Sequence, residues 1–209
     1  TQERDVKGKL VRILDTQGAE DGKDIYLTID QELQDHLFKL FDNRRGALVA
    51  LEPKTGLVRA LISSPSFNPN ILNSIIDIDE VENLFSNKES PIFNRAVSGQ
   101  YPPASTLKPF VGLAAIENEV ISWDKKIKDD GKFYVEGDPR PYRGWKENGH
   151  GKVDMRKAIA ESSDVYFYTI AYDLTLAGIR PMLDSFGFGK KTGLTDFEAN
   201  GLLPDKKWK

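Results

Sequence analysis

The stretch from Gly46 to Ile62 constrains this chain most. Gly46-Ala47-Leu48-Val49-Ala50-Leu51 has the length and composition of a strand, and Pro53-Lys54-Thr55-Gly56 carries turn chemistry. Leu57 to Ile62 then returns as a second strand, and two strands joined by so short a turn are antiparallel neighbours. Upstream, Ile25-Tyr26-Leu27-Thr28-Ile29 is β-branched and aromatic and predicts a further strand. Asp30 follows as an N-cap, with Leu33, Leu37, Leu40 and Phe41 at helical spacing on one face. His36 lies beside that stripe and reads as a partly buried structural histidine. Downstream, helices are predicted over about Ile71 to Phe85, through Phe110 to Ile116, and over Met155 to Leu174 and Ile179 to Phe186. Residues 124–153 read as loop, and residues 5–22 as a polar lead-in whose Leu10 to Leu14 is strand-like. This order of strand, helix and hairpin followed by helices gives an α+β fold with an antiparallel sheet.

Composition narrows the function classes. With 39% hydrophobic and 29% charged residues, the chain of 209 residues is not disordered, collagen-like or a coiled coil. A formal net charge of −3 lacks the basic excess of a nucleic-acid binder. The absence of cysteine excludes disulfides, thiol nucleophiles and thiolate zinc sites, but fits either redox compartment. The longest apolar runs, Ala47 to Leu51 and Phe110 to Ile116, fall far short of the ~18 residues of a membrane span. The opening Thr1-Gln2-Glu3-Arg4-Asp5 has no initiator methionine or signal-peptide pattern and reads as a processing boundary.

The candidate chemistry sits at Ser105-Thr106-Leu107-Lys108. Residues i and i+3 are neighbours on a helix, so Lys108 can reach the Ser105 hydroxyl and take its proton when the amine is neutral. A helix start adds unpaired N–H groups suited to an oxyanion. Pro109 lacks the N–H that would bond the carbonyl of residue 105, so the turn holding Ser105 is expected to be irregular. Spacing alone does not single this motif out. Ser122-Trp123-Asp124-Lys125 has the same pattern in a charged, solvated segment.

The surroundings of Ser105 do single it out. Asn94-Arg95-Ala96 and Gly99-Gln100-Tyr101-Pro102-Pro103-Ala104-Ser105-Thr106-Leu107-Lys108-Pro109 resemble the active-serine segment of the class B penicillin-binding proteins. Gly46 to Gly56 and Ser63-Ser64-Pro65-Ser66-Phe67-Asn68-Pro69-Asn70 resemble that family's hairpin and following loop. Asp24 to Asp30 and the stretch from Tyr142-Arg143-Gly144-Trp145 to Gly149-His150-Gly151 resemble the elongation-type subgroup, the penicillin-binding protein 2 type. The blocks occur in the family's order from about residue 6 to the end. The resemblance implies the penicillin-binding-protein/β-lactamase-like transpeptidase fold. It implies residues 1–22 as the end of a preceding pedestal module and 23–209 as the N-terminal part of the transpeptidase domain, incomplete at its C-terminus.

By the same resemblance, Ser105 is the nucleophile and Lys108 accepts its proton. Ser162-Ser163-Asp164 is the second motif, with Ser162 relaying a proton to or from an amine and Asp164 holding the site's hydrogen bonds. Without Ser105 that triplet would read as a helix cap. Lys191-Thr192-Gly193 matches the third motif as letters, but its context resembles a different segment, and the functional copy is expected beyond Lys209. Tyr101, Tyr142 and Trp145 are candidates for the substrate groove. Some relatives hold zinc near His150 and Asp129 or Asp130. Here Gly144 and Ser163 replace two of the ligands, so no metal is expected, with His150 and Asp129 as the weak candidates and His150 read instead as a loop-ordering histidine.

The implied activity is a serine D-Ala-D-Ala transpeptidase without a cofactor, cross-linking peptidoglycan stem peptides during elongation and acylated by β-lactams. The implied setting is the periplasmic face of the inner membrane, anchored by a helix outside this chain, beside a membrane glycosyltransferase. This chain by itself is expected to be weakly active or inactive. The alternatives are a β-lactam sensor, a class D-like β-lactamase of the same fold, and a non-catalytic scaffold for wall synthesis.

Overall fold

The computed structural model describes residues 2–13, 18, 21–72 and 78–205. A short antiparallel hairpin, β1 (Gln2–Arg4) with β2 (Leu10–Ile13), opens the chain, and all of its residues are exposed. The strand expected from Leu10 is therefore present, while Leu14 lies outside the described residues.

Residues 25–29 are not a strand, against the sequence expectation, and Ile25, Tyr26 and Leu27 are largely exposed. The segment reaches the sheet only at its end, where Thr28 Oγ1 donates to Val58 O at 2.7 Å and Asp30 N to Arg59 O at 2.9 Å. The next outward backbone pair, at Leu61, is taken by a side chain. Gln34 Nε2 donates to Leu61 O and accepts at Oε1 from Leu61 N, both at 2.8 Å. An amide on a helix has displaced the ladder that a strand would make.

Helix α1 (Gln31–Phe41) begins where Asp30 predicts, with Asp30 Oδ1 accepting from Leu33 N at 3.0 Å. It packs over β4, but His36 is exposed rather than partly buried, because it lies off the face turned to the sheet. The hairpin follows as β3 (Gly46–Leu51) and β4 (Val58–Ser64), antiparallel, with Ala60, Ile62 and Ser64 buried on one face of β4. The alternation of buried and half-buried residues is the two-residue period of a sheet with one covered face. The helix expected over 71–85 resolves into a 3-10 turn at Pro69–Leu72 and α2 (Ile78–Ser86), and residues 73–77 lie outside the described residues.

The core lies between α3 (Lys108–Glu117) and the long helix α5 (Asp164–Ser185). Helix α3 offers Val111, Gly112, Ala114 and Ala115 as a small-residue face. Tyr166, Phe167, Ile170 and Leu174 of α5 pack there with Met155 and Val153. Gly112 is required by this approach: a Cβ on it would sit 2.8 Å from Met155 Sδ.

Two further expectations are corrected. Residues 124–153 are not simply loop but carry β5 (Ile127–Asp129), β6 (Lys132–Phe133), β7 (Tyr142–Arg143) and β8 (Gly151–Val153). These pair antiparallel as β5 with β8 and β6 with β7. Strands of two or three residues show no readable alternation, and their partners lie up to 26 positions away. The helix expected from Met155 to Leu174 is two, α4 (Met155–Ala160) and α5, because Ser162 takes φ 52° and Ser163 caps a new start. Helix α5 itself breaks at Thr175 (φ 61°), short of the second helix expected from Ile179.

Candidate active site

Ser105 lies in a 3-10 turn, Ala104–Leu107, immediately before α3. The Ser105 carbonyl accepts from Lys108 N, three residues on, and Pro109 offers no N–H for the usual fourth. The irregular turn expected from Pro109 is present, and it leaves Ser105 exposed. Lys108, the first residue of α3, reaches into the junction of α4 and α5, with its side chain 12% exposed.

At that junction stands the Ser162–Asp164 triplet. Ser163, fully buried, caps α5: its Oγ accepts from Tyr166 N at 3.2 Å. The cap fixes its neighbours on either side, so Ser162 and Asp164 both face Lys108. Lys108 Nζ donates to Ser162 O and Ser162 Oγ, each at 2.9 Å, and to Asp164 Oδ1 at 2.6 Å. Those three bonds are the full donor complement of an ammonium. Ser162 Oγ in turn donates to Ser105 Oγ at 3.1 Å. Lys108 is thus connected to Ser105 through Ser162, rather than by the direct contact that the i, i+3 spacing suggests. The Phe167 ring lies 5.7 Å from the ammonium and closes its apolar side.

A second layer holds the triplet from behind. Asp129, 2% exposed, accepts from Ser163 Oγ and His150 Nδ1 at Oδ2, both at 2.6 Å, and from Gly131 N at Oδ1. Burial pushes its carboxyl up, but the hydrogen bonds from Ser163, His150 and Gly131 and the His150 charge outweigh it and hold the group below the usual carboxylate range. The sequence marked Asp129 only as a metal candidate and missed this bracing role, while His150, read as a loop-ordering histidine, takes part in it.

The residues present do not fit a structural zinc. The facing atoms of Asp129 and His150 bond each other, Ser163 spends its hydroxyl on Asp129, and Gly144 has no side chain to offer. His150 Nε2 is buried without a partner. Among the described residues no group of three or more His, Cys, Asp or Glu side chains is placed to hold a metal.

The three aromatic candidates separate. Trp145 touches the triplet: its N donates to Asp164 Oδ2 at 3.1 Å, and its Nε1 to Glu161 O and Ser162 O, each at 3.2 Å. Tyr142 packs edge-on against Tyr168 of α5, with centroids 6.1 Å apart. Burial and the Asp164 charge push the Tyr168 phenol up, which makes it a neighbour of the site that sequence reasoning missed. It lies one helical turn after Asp164, and that spacing was the available signal. Tyr101 lines a separate open cavity of about 730 Å³ with Arg45, Gly46, Ala47, Ser90, Phe93 and Arg95, and none of the motif residues borders it.

Lys191-Thr192-Gly193 forms no strand. Thr192 N and Gly193 N both donate to the Glu198 carboxylate, at 2.7 and 3.0 Å, and Lys191 Nζ donates to Asp196 O. A side-chain hydrogen bond from Thr192, with the backbone donors of Thr192 and Gly193 behind it, holds the Glu198 carboxyl below its usual range and closes a local turn.

An amine and two hydroxyls, Lys108, Ser162 and Ser105, thus stand in one hydrogen-bonded row within an α+β fold. The family model of the penicillin binding protein transpeptidase domain matches residues 46–209, and the chain belongs to that family. More narrowly, it is 40% identical over 208 residues to the peptidoglycan D,D-transpeptidase MrdA of Acinetobacter baumannii, covering 99% of this chain and 31% of that relative. The chain thus spans about a third of the length of that relative. Among solved structures it resembles Pseudomonas aeruginosa PBP2 in complex with WCK 5153, with TM-score 0.84, 38% identity, and coverage of 90% of this chain and 43% of that one. It also resembles PBP2 in its complex with MreC from Helicobacter pylori, with TM-score 0.84, 30% identity, and coverage of 99% and 38%. The expected family and fold class are thereby established.

Proposed function

We propose that this chain supplies the nucleophile and proton relay of a peptidoglycan D,D-transpeptidase of the elongation type, which β-lactams acylate. The observation that carries the proposal is the row Lys108 Nζ, Ser162 Oγ, Ser105 Oγ, spaced 2.9 and 3.1 Å. When Lys108 has released a proton, the row can run in reverse, with Ser105 donating to Ser162 and Ser162 donating to the amine. Ser105 Oγ then attacks the penultimate D-Ala carbonyl of a donor stem peptide, and its proton passes through Ser162 to Lys108. Collapse of the adduct breaks the peptide bond. The leaving D-Ala nitrogen takes the proton back, and an ester joins Ser105 to the donor. An amine of a second stem peptide attacks that ester, its proton returning along the same row, and frees the hydroxyl. Asp164 takes no proton; it orients the amine at 2.6 Å.

The same reading places the protein at the periplasmic face of the inner membrane, where the cross-linked polymer is, with a membrane glycosyltransferase as partner. No described helix is long and apolar enough to cross a membrane. It also divides the chain near residue 22, which the wholly exposed β1–β2 hairpin supports.

The test is intact-mass measurement of the full protein after exposure to benzylpenicillin. The wild type should gain one penicilloyl group, localised to Ser105, and Ser105→Ala should gain none. An adduct on the alanine variant refutes the assignment.

A further inference from the structure

Ser162 is the pivot of the relay, and its backbone is strained. Its φ of 52° is a left-handed conformation that costs a non-glycine residue about 1 kcal/mol or more and persists only where the surroundings impose it. Two donors converge on its carbonyl. One is Lys108 Nζ at 2.9 Å, a member of the relay, and the other is Trp145 Nε1 at 3.2 Å, which is not. The backbone N–H of Trp145 meanwhile holds Asp164 Oδ2 at 3.1 Å, on the far side of the carboxylate from Lys108. One residue therefore grips both partners of the lysine.

The grip is itself anchored. Gly144 N donates to Gly131 O at 2.9 Å, and the Trp145 ring packs on His150, with centroids 5.3 Å apart. His150 is tied to Asp129, and Asp129 to Ser163. The segment 144–150 thus forms a strap whose two ends reach the triplet, one through the Trp145 indole and the other through Asp129.

We propose that Trp145 is a positioning residue for acylation, whose indole N–H holds the Ser162 peptide where its hydroxyl bridges Lys108 and Ser105. This goes beyond a place in the substrate groove, and it rests on the acyl-transfer reading above. Without the indole donor, the Ser162 carbonyl keeps only Lys108 and the strained peptide relaxes. The relay then loses its 2.9 and 3.1 Å spacings.

The experiment uses the full protein with a fluorescent penicillin, resolving acylation into the pre-covalent dissociation constant and the first-order acylation rate. Trp145→Phe keeps a ring and removes the N–H, and Trp145→Ala removes both. Trp145→Phe should lower the acylation rate about tenfold with the dissociation constant within about twofold, the loss expected for one hydrogen bond that acts on the reacting geometry, and Trp145→Ala should slow acylation at least as much. In the unmodified protein, the Trp145 indole proton should also exchange with solvent more slowly than that of a free indole, a readout that needs no folded variant. A weakened dissociation constant with an unchanged rate overturns the proposal, as does a normal rate in Trp145→Phe. An indole proton that exchanges freely overturns it as well. If the unmodified protein forms no adduct at Ser105, the acyl-transfer reading fails instead, and the exchange measurement still decides whether the strap is held.

Discussion

Replacing Ser163 by alanine removes one hydroxyl from the least exposed part of the site, and its cost can be worked from two bonds. Ser163 Oγ accepts from Tyr166 N at 3.2 Å as the cap of α5. Loss of such a cap costs about 1 kcal/mol. The same hydroxyl donates to the buried Asp129 carboxylate at 2.6 Å, and a hydrogen bond to a charged group contributes about 1.5–3 kcal/mol. Asp129 keeps the bonds from His150 and Gly131, so the expected loss is about 3 kcal/mol rather than the upper sum. For a unit of this size that is a melting shift of about 6–12 °C. The assay is urea or thermal unfolding of the wild type, Ser163→Ala, Asp129→Asn and the double variant. The two sites should show a coupling of about 1 kcal/mol or more, because they share a bond. Hydrogen exchange at the Tyr166 amide should rise in Ser163→Ala and the double variant but not in Asp129→Asn. A loss below about 0.5 kcal/mol with additive effects would refute the reasoning, since that is the range of an ordinary surface substitution.

Two further outcomes follow from the same geometry. Burial and, behind it, the Asp154 charge push the Tyr166 phenol up to about 12, and its hydroxyl has no hydrogen-bond partner. A raised folded-state value contributes stability that is complete below the unfolded value near 10 and lost as pH rises toward 12. Tyr166→Phe should therefore be as stable as the wild type or more so at neutral pH, and should lose less between about pH 10 and 12, by up to about 2–3 kcal/mol; parallel stability curves for the two proteins would contradict this. Gly149 has φ 66°, and a Cβ there would stand 2.2 Å from Asp129 O, whereas Gly151 at φ 75° has open space around it. Gly149→Ala should cost about 2–4 kcal/mol and slow acylation by moving the strap, and Gly151→Ala about 1 kcal/mol with no kinetic effect. Equal losses at the two positions, read by unfolding and by penicillin labelling, would mean that the close approach is not what Gly149 serves.

The parts of this protein legible in its sequence are those written by neighbours along the chain. Asp30 caps a helix through an atom three residues on, and the Gly46–Ser64 hairpin is set by its own turn. The Pro109 ring dictates the 3-10 turn at Ser105 by withholding one N–H. Where a distant group competes, the local signal misleads. Ile25 to Ile29 has strand composition, yet the edge it would pair with is taken by the side chain of Gln34. The strands between 127 and 153 are too short to show a period, and they form because distant segments meet.

The site divides in the same way. The sequence singled out Ser105 with Lys108, and Ser162 with Asp164, through the resemblance of their surroundings to a known family, since the Ser-x-x-Lys spacing by itself recurs at Ser122 and Lys125. Only the tertiary structure decided how they connect. Helix packing brings Lys108 to a junction 54 residues further on, where the Ser162 hydroxyl bonds both its amine and Ser105. The brace of Asp129 and the grip of Trp145 come from segments that approach only after folding, through backbone and buried polar groups that must find partners once water is excluded. Hydrogen-bond satisfaction in a closed interior is a property of the whole chain. No window of sequence contains it.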